Sequence, residues 1–195
     1  VDNGVSAGST ASTSTLGHIA LGLTLLAFGI GHTGVIDGVT AANSVSLATY
    51  VGGLALFVLG ILEFRGGDGF NGTAFAGLGA FWFTWAAGAD GKVSADAAGT
   101  FLLLFVLLGV TLTVGAASGL FGQAVYGLFT LSLLLLAIGA FADNGVLGKA
   151  AGWVAAVAGL LAWYGATAAL AHWPTAFGRS RGRDRAPDRN AVATS

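Results

Sequence analysis

The feature that most constrains this chain is a series of apolar segments, each near the length of a bilayer crossing and with no central Asp, Glu, Lys or Arg. A helix needs about 20 mostly apolar residues, at ~1.5 Å rise each, to cross ~30 Å of hydrocarbon. Six segments meet that requirement: Leu16–Ile36, Val45–Phe64, Asn71–Gly88, Ala97–Ala116, Gly122–Ala142 and Gly148–His172. None alternates with a polar face, as a helix with a wet side must. Only 9% of the 195 residues are charged, against about a quarter in a soluble domain. The expected fold is therefore an all-α integral membrane protein, a bundle of six transmembrane helices. Short links rich in Gly, Asp and Asn make successive helices antiparallel neighbours. Residues 1–15, with their "STASTST" tract, read as a flexible polar N-terminus. Residues 16–172 form the transmembrane domain, and 173–195 a basic cytoplasmic tail.

Lys and Arg orient such a bundle. The tail carries Arg179, Arg181, Arg183, Arg185 and Arg189, and Arg65 lies in a link on the same side. Lys92 and Lys149 fall on the other side. The expectation is a multi-pass plasma-membrane protein with both termini cytoplasmic. The tail then acts as a topology anchor, with anionic headgroups as an added contact. Nucleic acid is not an expected partner. No basic n-region precedes the first apolar run, so a cleaved signal peptide is not expected.

The chain holds 33 glycines, about twice ordinary usage. In a membrane, small residues let backbones approach closely and supply the packing that hydrophobicity cannot. Gly72, Ala76, Ala80 and Thr84 recur every four residues in the third span, with Phe75, Leu78, Trp82 and Trp85 on another face. Ala151, Ala155 and Gly159 repeat the device in the sixth. A loose internal echo links "LLAFGIGHTGVIDG" from Leu25 to "LLAIGAFADNGVLG" from Leu135.

Chemistry-bearing groups are few. A charge at mid-bilayer costs roughly 2.5–3.5 kcal/mol by insertion scales and usually marks a relay or ion site. Its absence argues against a carboxylate-driven pump or an acidic-ring cation channel. There is no cysteine, no His and carboxylate cluster at metal-ligand spacing, and no hydrolase or phosphate-loop motif. Neither an enzyme nor a metal or cofactor is expected. His18, His32 and His172 lie near span ends, and for the last two an interfacial role is the simpler reading. Glu63, followed by Phe64 and Arg65, reads as a charge pair at the mouth, near headgroup level, with Asp68 in the turn beyond.

At this point the chain resembles the acetate uptake transporter family, the bacterial succinate–acetate permeases and their archaeal and fungal relatives. The resemblance is carried, in order, by Tyr50 with Gly52-Gly53, Glu63-Phe64, Gly67-Asp68-Gly69-Phe70, Thr73-Ala74-Phe75 and Leu78-Gly79-Ala80-Phe81-Trp82. It extends to "LGHIALGLT" in the first span, Gln123, "LLAIG" at 135–139, "AGW" at 151–153 and "FGR" at 177–179. The family signature Asn-Pro-Ala-Pro-Leu-Gly-Leu is replaced here by Ser12-Thr13-Ser14-Thr15-Leu16-Gly17-His18, and the tyrosine before Gly79 is Leu78. The chain is thus similar to a divergent member.

The resemblance implies a pore within each six-helix protomer and a ring-shaped homo-hexamer in the lipid bilayer. It implies passage of acetate and other small carboxylates past a hydrophobic constriction of Leu21, Leu78 and Phe129. Thr24, Phe81 and Gln123 are the implied pore-lining or substrate-binding residues, joined by His18, which stands where the family motif has leucine, and Glu63, Phe64, Arg65 and Asp68 are the motif at the mouth. An apolar collar can contact the methyl of acetate while hydroxyls and backbone N–H groups flanking it receive the carboxylate. His18 would add a titratable donor at the cytoplasmic mouth. Two other readings stay open: a pore for ammonia, urea or bicarbonate, and a non-conducting scaffold or sensor of the same fold.

Overall fold

The computed structural model describes residues 7–89, 93–116 and 119–173, the side chains of 7–12 excepted. All regular structure among them is helical. The helices are α1 (Ala7–Thr33), α2 (Ala41–Arg65), α3 (Gly69–Gly88), α4 (Ala95–Gly115), α5 (Leu120–Phe141) and α6 (Gly145–Leu170). Five of these, all but α3, are long and apolar enough to cross a membrane. Helix α3 has 20 residues, enough for ~30 Å, but its glycines, threonines and Asn71 dilute its apolarity. Lys92 and the five tail arginines, on which the expected orientation rests, lie outside the described residues.

Two differences from the expected spans are informative. Helix α1 begins at Ala7, so part of the tract expected to be loose is helical. Once a span is nucleated, each further residue adds a hydrogen bond at little extra cost. Helix α2 is composite: a 3₁₀ turn at Ala41–Ser44, α-helix at Val45–Leu47, π-helix at Ala48–Ala55 and α-helix at Leu56–Arg65. Such π segments are rare and often sit at functional sites. Here it carries Gly52 and Gly53 to the core. A Cβ on Gly52 would lie 2.6 Å from Thr24 Cγ2 and 2.8 Å from Trp82 Cγ.

Packing follows the small residues. Helices α1 and α6 run against each other through Gly22 facing Gly159 and Gly29 facing Gly152, where any Cβ would meet backbone atoms of the partner helix at 3.0 Å or less. Such close approach is how helices associate in lipid, with dispersion as the main attraction. The sixth-span residues Ala151, Ala155 and Gly159 are all buried, as their spacing suggests. In α3 the small face differs from the expected stripe. Gly72 packs under Phe64, Ala76 against Gly60, and Gly79 against the Phe57 and Gly53 backbone, all from α2. Ala80 and Thr84 are exposed. A strict four-residue repeat drifts around a 3.6-residue helix, so the contact face passes from Ala76 to Gly79 instead. One interhelical hydrogen bond, from Ser132 Oγ to the Ala151 carbonyl at 3.0 Å, ties α5 to α6.

The bulky face of α3 points inward. Phe75, Leu78, Phe81 and Trp82 are fully buried, and the aromatic rings among them reach α1, α4 and α5. Phe81 lies 5.5 Å from Phe129, 5.7 Å from Phe101 and 5.2 Å from Phe105. Trp82 lies 5.2 Å from Phe28. Helix α3 packs along α2 and sends these side chains into the core shared with α1, α4 and α5, while every helix also turns apolar residues outward.

Candidate functional site

A buried apolar cluster, a plug of packed side chains, runs through the interior. Leu21, Leu78 and Phe129 belong to one buried cluster, with Phe81, Trp82, Leu25 and Phe28 continuing it. On α1 this plug spans Leu21 to Phe28, about 10 Å by helix rise. It contains no charged residue. Thr24 is buried within it, but its hydroxyl donates to the Ala20 carbonyl at 2.8 Å. The proton expected to face a passing solute is therefore committed to backbone, as threonines in apolar helices often are.

Cavities lie beyond the plug on both sides. Toward the start of α1, a cavity of about 260 Å³ opens between α1, α5 and α6, with Ser14, His18 and Tyr126 among its walls. Toward the other end of α1, a cavity of about 360 Å³ is bounded by His32, Trp85, Phe101, Asp143 and Asn144. His18 and His32 are ~21 Å apart along the helix. Each imidazole Nδ1 bonds a carbonyl one turn back, Ser14 for His18 and Phe28 for His32, both at 2.8 Å. In each the Nε2 is the nitrogen not so engaged. The two echoing stretches of sequence both contribute to the second cavity, through His32 and through the Leu136–Gly148 region.

Around the first cavity the turn between α2 and α3 organises a polar cluster. Gly67, with φ +86°, lets the chain reverse, a conformation that suits glycine. The Asp68 amide closes on the Glu63 carbonyl at 2.9 Å. Asp68 then caps α3: one carboxylate oxygen accepts the Asn71 amide N–H at 2.9 Å, the other the Asn71 side-chain Nδ2–H at 2.8 Å. Asn71 Nδ2 also donates to Ser14 Oγ at 3.0 Å, joining α3 to α1. The His18 ring stands edge-on to Phe75 at 5.1 Å.

The Glu63 and Arg65 pair expected here does not form. Glu63 is 1% exposed and points inward, whereas Phe64 and Arg65 are exposed. Residues two apart on a helix face different directions, so both cannot meet at one headgroup level. The Ser14 hydroxyl is near Glu63, yet neither carboxyl oxygen has a hydrogen-bond partner. Among the described residues, Trp82 Nε1 and the Tyr126 hydroxyl are likewise buried without partners. Native proteins rarely leave such groups unsatisfied, and each such case calls for an explanation.

Of the expected site residues, Leu21, Leu78, Phe81 and Phe129 share the buried cluster, with Thr24 buried too, and His18 lines the first cavity, whereas Asp68 stays in the turn, tied through Asn71 to Ser14. Gln123 is exposed and lines neither cavity, although its neighbours Gly122, Val125 and Tyr126 do line the first. Ser14, Asn71, Tyr126 and Trp82 were not singled out from sequence as polar site groups. The Asp68-x-x-Asn71 spacing at a helix start signals a cap. A tyrosine inside an apolar span, as Tyr126 is, carries a hydroxyl needing a partner.

A family model described as the GPR1/FUN34/yaaH family matches residues 3–179. The chain is 29% identical over 164 residues to the succinate-acetate/proton symporter SatP of Escherichia coli K12, covering 79% of this chain and 85% of that protein. It is 32% identical over 149 residues to accumulation of dyads protein 2 of Saccharomyces cerevisiae, covering 69% of this chain and 53% of that one. The fold is similar to a solved structure of the bacterial acetate channel SatP, with a TM-score of 0.74 at 27% identity, over 82% of this chain and 92% of that chain.

Proposed function

This chain belongs to the GPR1/FUN34/yaaH family, and from that premise we propose that it is a membrane channel or permease for acetate and other small carboxylates. The observation that carries the reading is the apolar plug of Leu21, Leu78, Phe81 and Phe129 with a cavity beyond it on either side. A carboxylate alone among such side chains is expensive. Passage then needs a short collar, donors at its ends, or conversion to the neutral acid. The first cavity is walled in part by Ser14 and His18, and the second by His32 and Asn144. The same symporter and channel likenesses support transport over catalysis.

The reading includes six crossings, α3 among them, with both termini cytoplasmic. It includes a ring-shaped homo-hexamer, each protomer holding its own path. The exposed apolar side chains of α2 and α4, such as Leu54, Val58, Leu104 and Leu107, suit contact with lipid or a neighbouring copy. His18 is the titratable group at the mouth. A second reading, a path for an uncharged solute such as urea or ammonia, is favoured by the uncharged plug and the committed Thr24 hydroxyl.

The test is radiolabelled acetate flux in proteoliposomes, with and without a pH gradient, competed by propionate, urea and ammonium. Acetate uptake blocked by propionate but not by urea or ammonium is the expected result. Competition only by urea or ammonium favours the second reading, and rings that conduct nothing point to a scaffold.

A further inference from the structure

We propose that copies of this chain associate by seating Tyr50 of one in a recess between α3 and α4 of the next. The proposal rests on the ring reading above and assigns it a contact. Tyr50 lies in the π segment of α2, is 67% exposed, and stands in the wall of an open groove between α1 and α2 that is otherwise aliphatic. Helix α2 runs Ala41–Arg65, so Tyr50 is three residues from its midpoint. That is ~4.5 Å by helix rise, with the hydrocarbon edge ~15 Å from the bilayer centre. The exposed threonines of the spans, Thr73, Thr84, Thr100 and Thr111, each donate to a carbonyl four residues back. A tyrosine hydroxyl, at the far end of its ring, has no such local carbonyl, and lipid tails offer no acceptor. Tyr164, another exposed tyrosine, is differently placed. It lies beside Trp173, ~9 Å from the end of α6 by helix rise, where headgroups supply acceptors.

The recess measures about 200 Å³, and its walls include Thr84, Trp85, Gly88, Ala98 and Phe101. No charged residue lines it. Its depth matches that of Tyr50. Gly52 packs on Trp82, and Gly79 on Phe57. Carried outward along these antiparallel helices, the first pairing brings Tyr50 level with Thr84 and the second with Ala86. A ring about an axis normal to the bilayer keeps every residue at its own depth, so a donor must find its acceptor at its own level. Thr84 Oγ1 donates to the Ala80 carbonyl at 2.9 Å and keeps lone pairs for a second proton. Tyr50 lines the groove shared with α1, whereas the recess lies between α3 and α4. The two patches are distinct, so their contact is heterologous, the kind that closes into a ring. An acyl chain fills the recess equally well but leaves the Tyr50 proton unpaired, at a cost. A second copy satisfies both.

The chain has no cysteine, so Ser195→Cys carries a single fluorophore, and photobleaching steps count the copies per complex in liposomes as lipid is added. Wild type is expected to associate. Tyr50→Phe and Thr84→Val should each raise the protein density for half-association about three- to tenfold, the loss of one hydrogen bond. Combined, they should do no worse than either alone. Thr84→Ser, which keeps the oxygen, should associate as wild type does. Gly88→Leu fills the recess. Among the described residues a Cβ there meets only Val93, at 3.4 Å, so association should be lost with the helical circular dichroism unchanged. The contact is overturned if Tyr50→Phe, Thr84→Val and Gly88→Leu all assemble like wild type; the ring then closes through another face and acyl chains fill the recess. Effects of Tyr50→Phe and Thr84→Val that multiply in full overturn the pairing of the two hydroxyls. Wild type that stays monomeric at every density overturns the contact and the ring reading together.

Discussion

Replacing Gly29 by alanine offers a direct test of how the bundle is held together. A Cβ there would lie 2.5 Å from the Ala156 amide nitrogen, 2.7 Å from the Gly152 carbonyl oxygen and 2.9 Å from the Ala156 Cα. Ordinary contact begins at 3.4 Å, so the tightest of these falls 0.9 Å short, 3.4 against 2.5 Å. All three obstacles are backbone, so no rotamer change relieves them and the helices must part. A gap of 0.5–1 Å forfeits about a quarter to a half of a dispersion well, and in lipid that attraction is most of what joins α1 to α6. The expected loss is about 1–3 kcal/mol. Gly127→Ala is the matched control, since its Cβ would meet only Thr113 Cγ2, at 3.6 Å. Both changes gain the same intrinsic helix preference, up to about 1 kcal/mol. That gain cancels in their difference, about 1–3 kcal/mol, which therefore isolates the steric cost. Reversible unfolding in mixed micelles measures it. Equal stability of the two variants would refute the close approach of α1 and α6 at Gly29, and with it the account of the glycines.

Leu78→Ala, at a fully buried plug position, should cost about 2–5 kcal/mol in the same unfolding assay. It should also admit larger carboxylates to proteoliposomes; unchanged size exclusion removes Leu78 from the constriction. His18→Leu should flatten the pH dependence of acetate flux in the range where an imidazole titrates; an unaltered profile removes His18 from the mechanism. Asp68→Ala deletes both bonds to Asn71 and should lower stability by about 0.5–2 kcal/mol, whereas Asp68→Asn, which keeps one acceptor, should lose less. Glu63→Met replaces a buried carboxyl without a partner and should raise stability by about 1–3 kcal/mol. A fall instead means that Glu63 has a donor in the assembled protein, and a rise accompanied by lost flux marks the carboxyl as kept for function.

The helical spans could be read from the chain because each depends on local composition. A run of about 20 apolar residues has few options in lipid but a helix, since every backbone group must be satisfied within the segment. The plug residues were equally accessible through the resemblance of the Leu78–Trp82 motif and the first span. The polar cluster was not. Glu63 and Arg65 lie two positions apart on paper, yet helix rotation sends one to the core and the other out. Gln123 is one residue from the cavity wall but on the wrong side of α5. Thr24 carries a hydroxyl that sequence cannot know is already bonded to Ala20.

What the sequence alone determined is the material of this protein: an all-helical chain made for a membrane, glycine-rich where helices must touch, and without charge along its centre. The tertiary structure decided what faces what. It turned the bulky face of α3 inward, set a π segment into α2 at Gly52-Gly53, paired Gly22 and Gly29 with Gly159 and Gly152, and left the Tyr126 hydroxyl buried without a partner. The Gly22–Gly159 and Gly29–Gly152 pairings join residues more than a hundred positions apart, and the other contacts likewise cross between helices. Helix rotation and shape complementarity set them, and neither is written in the composition of any one segment.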